Sequence, residues 1–476
     1  MPVAKAEPAI AESVVRAHRV AHKPEYDAAL HCNANLNASR ASRGERKHCA
    51  CTCSQSCASQ REKIIGCGLS VIQIYKRVHF QLAAQMEIIT NIQHQFHWRG
   101  HTQPLREPER ARMISAAHTV LSACVVSLGA SALGLCVLVP ISKPFGLLDY
   151  PDARKRHGFA TPLVGGLSIF VGVLAGWVWL GQAQHFDDVV LGTACMLVLL
   201  GAIDDKYGLR VSVRVVVQVL AVLIVIATTG MYVHSLGRLH GYELTLGWLG
   251  IPFTVFAVIG LINAFNLMDG IDGLAGCLAL VSAGAVALLV PTHVPAPLAV
   301  VVFLLAAALS PFLLSNLGLL GRRAKVFLGD AGSVVLGYVI AWTLIALSQD
   351  DPRRISPGLV LWCVAVPVMD TLAVIYRRLR RGESPFTPDR SHIHHLLMNA
   401  GLGARPTLVC LVAFAAVLPF VGVLIHGRLG AIANMVAFAV VVMIWTAFTV
   451  RLERKQVART GEPGGAVRRI PRTTHF

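Results

Sequence analysis

The sequence predicts an all-α, polytopic integral membrane protein with about eleven transmembrane helices. The chain has 476 residues, of which 54% are hydrophobic and only 14% charged, whereas soluble domains have about 45–50% apolar and about 25% charged residues. Apolar runs long enough to cross a bilayer recur along most of the chain. None alternates with the two-residue period of a barrel strand. Because backbone groups in lipid must be hydrogen-bonded within their own segment, these runs predict helices.

The helices are placed by the length of each apolar run, since a transmembrane helix needs about 20 residues, with a range near 17–25. On this criterion we expect spans at 117–140, 162–181, 188–203, 215–233, 248–264, 274–291, 297–317, 333–348, 358–376, 407–426 and 429–450.

The charge distribution predicts the orientation of the spans. When the loops are numbered along the chain, the odd loops and the C-terminal tail hold 23 Lys or Arg, and the even loops hold four. The positive-inside rule therefore places the odd loops and the tail in the cytoplasm. The net charge of +17 is explained by this bias and by anionic ligands, so we expect no nucleic-acid partner.

Residues 1–112 differ from the rest of the chain. They lack an apolar run of span length and carry sixteen Lys or Arg against nine Asp or Glu. We expect a disordered extension or a misassigned start, with Met113 opening the first apolar segment, an eleven-span domain at 113–450 and a basic cytoplasmic tail at 451–476. Cys49, Cys51, Cys53 and Cys57 raise a zinc site as the alternative, but their spacing fits no common pair of ligand motifs.

The polar clusters all fall in loops on the predicted cytoplasmic face. Adjacent carboxylates, Asp204 and Asp205, follow the third span, and NAFNLMDGIDGLAG follows the fifth. Within the second cluster, Asn266, Asp269 and Asp272 are spaced i, i+3, i+6, so they share one face wherever the segment is helical. Each cluster alone could be a solvated turn. Oxygen side chains at membrane depth are nevertheless costly, which favours a functional role.

Two further loops on this face complete the pattern. FLGDAGS contains Asp330, and the loop after the ninth span contains an arginine run and HIHH. A zinc site at the histidines is the alternative, although no cysteine accompanies them and the neighbouring arginines favour an anion. Oxygen ligands suit Mg²⁺, with Mn²⁺ as a substitute. The residue types therefore predict a divalent cation and a phosphate-bearing substrate meeting a lipid at the membrane surface.

Four motifs carry a resemblance to a known family. In chain order they are DDKYGL, NAFNLMDGIDGLAG, NLGLLGRRAKVFLGDAGS and SPFTPDRSHIHHLL, and together they resemble the polyprenyl-phosphate N-acetylhexosamine-1-phosphate transferases. HIHH with RRLRRG and SPF upstream is similar to the branch that transfers GlcNAc-1-phosphate from UDP-GlcNAc to undecaprenyl phosphate, which initiates O-antigen-type polysaccharides. The resemblance implies release of UMP, magnesium dependence, a bacterial inner-membrane location and a cytoplasmic active site.

The resemblance also implies roles for individual residues. Asp204 would lie closest to the lipid phosphate, Asp272 near uracil, and Phe327 would stack on uracil. The implied catalytic residues are Asp204, Asp205, Asp269, Asp272, His392, His394 and His395. The implied substrate-binding residues are Asn263, Phe327, Arg214, Asp389 and Arg390. The implied metal ligands are Asn266 and Asp330.

Two other functions stay open at this point. A sibling enzyme could use UDP-QuiNAc, UDP-FucNAc or UDP-GalNAc as its donor. A proton-coupled secondary transporter could use membrane carboxylates, although transporters place such groups near the midplane and often in paired repeats, whereas here they gather at one surface. A homodimer is also left open.

Overall fold

The computed structural model describes residues 107–150, 160–181, 185–239, 242–290, 297–321, 324–349, 355–384 and 392–460, so the extension before residue 107 lies outside it. The described chain is built almost entirely of helices, which confirms the all-α prediction. The twelve α-helices of these ranges are α1 Glu107–Phe145, α2 Gly165–Leu180, α3 His185–Tyr207, α4 Val211–Thr229, α5 Gly250–Met268, α6 Leu274–Leu289, α7 Pro297–Asn316, α8 Gly329–Gln349, α9 Pro357–Cys363, α10 Ala365–Arg380, α11 Ile393–Asn399 and α12 Ala404–Thr460.

Two short antiparallel hairpins lie in the connections between helices. β1 (Leu148–Asp149) pairs with β2 (Thr161–Pro162), and β3 (Ser235–Leu239) pairs with β4 (Tyr242–Thr245). The second hairpin is fastened to the end of α8, because the Gln349 Oε1 atom accepts a hydrogen bond of 3.1 Å from the Ser235 backbone N–H. These strands are too short to alter the helical character of the fold.

The membrane spans agree with the prediction in type, while the count of eleven stays a prediction. Seven helices among the described residues are long and apolar enough to cross a bilayer: α1, α3, α4, α5 with the preceding turn, α7, α8 and α12. α2 and α6 are apolar but have only 16 residues each. α9 and α10 meet at an angle of 86°, so the expected single span at 358–376 is broken at Val364.

The last helix reverses direction within its length. It is assigned 57 residues, and a straight helix of that length would extend about 85 Å, far more than a bilayer core of about 30 Å. Gly430 has φ 83° and ψ −178°, a backbone conformation open essentially to glycine alone. Both ends of α12 reach the same end of the bundle, with Leu408 beside Gly273 and Gln456 beside Leu396. The expected spans 407–426 and 429–450 are therefore the two limbs on either side of Gly430.

α8 forms the centre of the bundle, and every one of its residues except Asp330 is buried. Small residues let its neighbours approach closely. A Cβ atom added at Gly166 would lie 2.1 Å from the Gly332 nitrogen, and one added at Gly201 would lie 2.4 Å from the Ala331 Cα atom. Such small-residue contacts are typical of helix packing in membranes. They bring α2 and α3 against the first turn of α8, which is where Asp330 lies.

Candidate active site

Asp330, in the first turn of α8, is the centre of the polar cluster. Asn266, near the end of α5, donates a hydrogen bond of 2.7 Å from Nδ2 to Asp330 Oδ1. Arg214 of α4 donates from Nη1 to Asp330 Oδ2 at 3.2 Å and to Asp204 Oδ2 at 2.7 Å. The structure thus brings together four of the predicted residues, Asp204, Arg214, Asn266 and Asp330, from three different connections.

Asp204 and Asp205 lie in the last turn of α3 and form hydrogen bonds with different partners. Asp204 is buried and accepts a second hydrogen bond of 2.6 Å from the Leu209 backbone N–H. Asp205 accepts from the backbone N–H groups of Asp330 at 2.8 Å and of Ala331 at 3.4 Å. A carboxylate in this position satisfies the free N–H groups at the start of α8 and is favoured by the helix dipole. Asp205 therefore holds α8 in place, and its catalytic role stays a prediction.

The close contact between Asp205 and α8 depends on Gly329. This residue has φ +72°, and a Cβ atom on it would lie 2.5 Å from Asp205 Oδ2. Glycine is the residue that adopts this conformation at little cost and leaves room for the carboxylate. The glycine that precedes Asp330 in FLGDAGS thus leaves room for a side chain of the protein itself.

Asp269 and Asp272 lie in the turn after α5. Because α5 ends at Met268, these two carboxylates do not continue the helical face of Asn266. Burial of the carboxyl group, and then the nearby carboxylates of Asp330, Asp205 and Asp272, raise the pKa of Asp269 well above its ordinary value. This turn therefore places carboxyl groups close together beside Asp330, where their ionised forms would be favoured by a bound cation.

A second wall of the site is formed by Asp272, Lys325 and Phe327. The Asp272 Oδ2 atom forms an ion pair with Lys325 Nζ, and that ammonium group lies 5.4 Å from the centroid of the Phe327 ring. Lys325 was not among the predicted site residues. The segment is positioned by the first hairpin, since the Phe327 N–H donates to Pro162 O at 2.9 Å and the Gly165 N–H donates to Phe327 O at 3.0 Å.

The first residue of the histidine motif, His392, is paired with a buried carboxylate, that of Asp370. His392 Nδ1 lies 2.9 Å from Asp370 Oδ2, and the Ile393 backbone N–H donates to Asp370 Oδ1 at 3.0 Å. Asp370, in α10, has no exposed surface. Sequence reasoning missed this residue, although a carboxylate within the apolar stretch AVPVMDTLAV is the kind of costly side chain that indicates a role.

His394 joins the histidine motif to the aspartate turn. A Cβ atom added at Gly270 would lie 2.0 Å from His394 Nε2, so the imidazole rests against the backbone of the turn. Burial and then the neighbouring His395 and His392 lower the pKa of His394 to about 2. His394 is therefore neutral at physiological pH. His395 is only partly buried and its ring centroid lies 4.2 Å from that of His394.

A small cleft with a cavity volume of about 30 Å³ lies at the polar cluster between α3, α4, α5 and α8. Its polar end contains Asp204, Arg214, Asn263, Asn266 and Asp330, and the rest of its wall is formed by Leu200, Gly201, Val211, Val215, Gln218, Ile262 and Val334. Asn263 is exposed and donates from Nδ2 to Ile259 O at 2.8 Å. Asp389 and Arg390 lie outside the described residues. The cleft is therefore charged at one end, and the rest of its wall, which is mostly aliphatic, forms an apolar trough.

Comparison with known proteins agrees with this geometry. Residues 188–348 match the model of the family described as "Glycosyl transferase family 4", and this range contains the polar cluster from Asp204 to Asp330. A protein of Yersinia pestis named "Undecaprenyl-phosphate alpha-N-acetylglucosaminyl 1-phosphate transferase" is 42% identical over 291 residues, which are 61% of this chain and 80% of the relative. The chain belongs to glycosyl transferase family 4.

Two further relatives with the same name are similar to the chain over comparable lengths. The protein of Escherichia coli K12 is 42% identical over 285 residues, which are 60% of this chain and 78% of the relative. That of Haemophilus influenzae is 39% identical over 307 residues, which are 64% of this chain and 86% of the relative.

The donor set of this family 4 site fits a hard divalent cation better than zinc. Among the described residues, no group of three or more His, Cys, Asp or Glu side chains is arranged to hold a metal. Mg²⁺ needs less from a protein, because it is usually bound by one or two carboxylates together with water and substrate phosphates. Asp330 supplies a carboxylate, and Asn266, whose Nδ2 atom is engaged by Asp330, retains its Oδ1 as a ligand.

Proposed function

We propose that this family 4 protein transfers GlcNAc-1-phosphate from UDP-GlcNAc to undecaprenyl phosphate and releases UMP. The names of its relatives, which are undecaprenyl-phosphate alpha-N-acetylglucosaminyl 1-phosphate transferases, support the acceptor and the transferred group. The observation that carries the proposal is Arg214, whose guanidinium lies between Asp204 and Asp330 at the point where the charged cluster meets the apolar trough. A phosphate attached to a hydrocarbon chain matches that boundary, with its charge at the guanidinium and its chain along the apolar wall.

The reaction is an in-line displacement at phosphorus. An oxygen of the lipid phosphate attacks the β-phosphorus of UDP-GlcNAc, a new P–O bond forms, and the bond to the bridging oxygen breaks with its electron pair leaving on UMP. The second pKa of a phosphate monoester is about 6, so the acceptor is already mostly dianionic at neutral pH and needs no general base. Catalysis then rests on positioning and charge neutralisation, which Arg214 would provide for the acceptor while the buried Asp204 holds the guanidinium in place.

A magnesium ion, with manganese as a substitute, would be held by Asp330 and Asn266. When bound, it would neutralise charge on the donor pyrophosphate and so favour attack by an anion. Asp205 would contribute by fixing the start of α8, which carries Asp330.

The donor would lie along the second wall of the site. Phe327 offers an aromatic face for uracil, and Lys325 and Asp272 supply a cation and an anion beside it. The histidine motif adjoins the aspartate turn through His394 and Gly270, and His395 would contact the sugar phosphate. A covalent phosphoryl-aspartate route through Asp269 is the alternative, and it predicts exchange of labelled UMP into UDP-GlcNAc without any lipid acceptor.

The site would face the cytoplasm of a bacterial inner membrane, where it would perform the first membrane step of O-antigen-type polysaccharide synthesis. The distribution of basic residues supports this orientation.

The proposal is tested by incubating membranes that contain the protein with undecaprenyl phosphate, magnesium and a panel of UDP-sugars. We expect UMP release with UDP-GlcNAc, and none without the lipid or with Asp330→Asn. Release only with UDP-QuiNAc, UDP-FucNAc or UDP-GalNAc would identify a sibling enzyme. Solute uptake without any UMP release would instead indicate a transporter and overturn the proposal.

A further inference from the structure

One polar side chain lies in the apolar part of the cleft. Gln218 belongs to α4, one helical turn after Arg214, and it lines the cleft together with Leu200, Val215 and Ile262. Only 5% of its surface is exposed. Its Oε1 atom is buried and has no hydrogen-bond partner among the described residues.

An amide in this position is not explained by packing. The residues around it in α4 read VRVVVQVLAVLIVI, so an aliphatic side chain of similar size would satisfy the helix without leaving an unpaired oxygen. Buried polar groups are normally hydrogen-bonded, and polar residues retained at membrane depth usually face a substrate path. The orphaned oxygen therefore indicates that the Gln218 amide makes its hydrogen bonds in another orientation, which it adopts when a ligand enters the cleft.

The position of Gln218 limits which part of a ligand it can contact. Residues three or four apart on a helix are neighbours on one face, so Gln218 lies directly beyond Arg214 on the apolar side of the charged cluster. A hydrocarbon chain offers an amide no hydrogen bond. The only polar part of a lipid phosphate that reaches this boundary is the phosphate group with its ester oxygen, and these atoms accept hydrogen bonds from N–H donors.

We propose that Gln218 is an acceptor-binding residue that recognises the phosphate of a polyprenyl phosphate from the membrane side, an inference that rests on the proposed function. Its Nε2 group donates to a phosphate oxygen, while its Oε1 atom turns towards the Arg214 guanidinium. Arg214 supplies the charge, and Gln218 sets how deeply the phosphate enters the cleft. A prenyl chain that carries a hydroxyl group instead of a phosphate would not gain from this contact.

The test is Gln218→Leu, which keeps the approximate size of the side chain and removes the amide. In purified protein we expect the KM for polyprenyl phosphate to rise about tenfold, because a hydrogen bond to a charged group typically contributes that much or more to binding. The KM for UDP-GlcNAc should change less than about twofold on the same reasoning. Gln218→Glu should raise the acceptor KM further, since it brings a negative charge towards the phosphate.

Gln349→Leu is the matched control, because it makes the same chemical change at the far end of α8, where Gln349 binds the second hairpin. It should leave the acceptor KM of the folded protein unchanged. Equal shifts in both KM values of Gln218→Leu, or no shift in either, would assign Gln218 a purely structural role and overturn the inference.

Direct binding separates this inference from the proposed function. A short-chain polyprenyl phosphate and the matching polyprenol are titrated into purified wild-type protein and Gln218→Leu without any nucleotide sugar. The inference is supported if the variant binds the polyprenyl phosphate more weakly than the wild type does, while its binding of the polyprenol is unchanged. This outcome would support the inference even if wild-type protein releases no UMP from UDP-GlcNAc. Identical phosphate binding by the two proteins would refute it.

Discussion

At the scale of single residues, Arg214 is the group on which the site depends most directly. Its Nη1 atom contacts carboxylates from two helices that are far apart in the sequence, and its side chain is about one-third exposed towards the cleft. A guanidinium can keep such contacts while binding phosphate with its remaining N–H groups, whereas the single ammonium group of lysine cannot. The arginine therefore links acceptor binding to the geometry of Asp204 and Asp330.

We expect Arg214→Lys to lower kcat/KM for polyprenyl phosphate by roughly 10- to 100-fold, the loss typical of removing a charge-assisted bidentate contact. UMP release at varied acceptor concentration measures it. Arg210→Lys, at an exposed position that precedes the same helix, is the control and should match the wild type. Wild-type kinetics in Arg214→Lys would contradict the proposed role.

Asp370 is the residue whose importance only the structure reveals. Because it accepts hydrogen bonds from both His392 and the Ile393 backbone, it positions the start of α11. We expect Asp370→Asn to lower kcat/KM about tenfold, the effect of weakening one charge-assisted hydrogen bond. The double variant Asp370→Asn with His392→Gln should lose little more than either single variant, since coupled residues are not additive. Additive losses would show that Asp370 acts independently of His392.

His394 provides a test based on pH. Burial lowers the pKa of His394 from an ordinary value of 6.5 to about 2, so between these values the unfolded chain binds a proton that the folded protein excludes. Stability due to this group is therefore fully present above about pH 6.5 and is lost as the pH falls below that value. We expect thermal stability to fall less between pH 7.5 and pH 5 in His394→Gln than in the wild type. Equal pH slopes would show that His394 is protonated in the folded protein.

At the scale of helices, the end of α12 supports the histidine motif. Glu453 Oε1 accepts a hydrogen bond of 2.6 Å from Arg381 Nη1, just after α10, and Gln456 Nε2 donates to Leu396 O in α11 at 2.7 Å. Both contacts lie beyond residue 450, where the last apolar segment was expected to end. The final turns of α12 therefore belong to the support of the site, although the sequence assigned them to a basic tail.

Two truncations test this support. A chain that stops after Thr460 keeps both contacts and should retain its activity. A chain that stops after Thr449 loses them, and we expect at least a roughly tenfold loss of UMP release, the effect of losing one such contact to a charged group. The amount of protein extracted from membranes checks that insertion is unchanged. Full activity in the shorter chain would exclude the proposed support.

At the scale of the whole molecule, the arrangement requires the aspartate-bearing connections to lie on one side of the membrane. Tyr207 lies beside the site, just before α4, and is 68% exposed. Tyr242 lies on the second hairpin, which follows the other end of α4, and is 82% exposed. They therefore report the two faces of the bilayer without touching the buried cluster.

In a cysteine-free background, we expect Tyr242→Cys to react with a membrane-impermeant thiol reagent in spheroplasts. Tyr207→Cys should react only after permeabilisation, because the positive-inside rule places it in the cytoplasm. The reverse labelling would show that the active site faces outwards and would exclude a cytoplasmic nucleotide sugar as its donor.

The sequence by itself determined the helical class, the approximate spans and the residue types of the site. These properties are local: an apolar run in lipid must form a helix, and a carboxylate at its end is visible in the sequence. The motifs in chain order also led to the transferase family before any contact was known.

Only the tertiary structure decided which polar groups are partners. Asp205 binds the backbone N–H of a residue 125 positions away, and His392 binds a carboxylate 22 positions away. The first of these pairs depends on the close approach of α3 and α8 at Gly201 and Gly329, and hydropathy carries no information about such contacts. For the same reason the reversal at Gly430 and the orphaned amide of Gln218 became visible only when the helices were packed together.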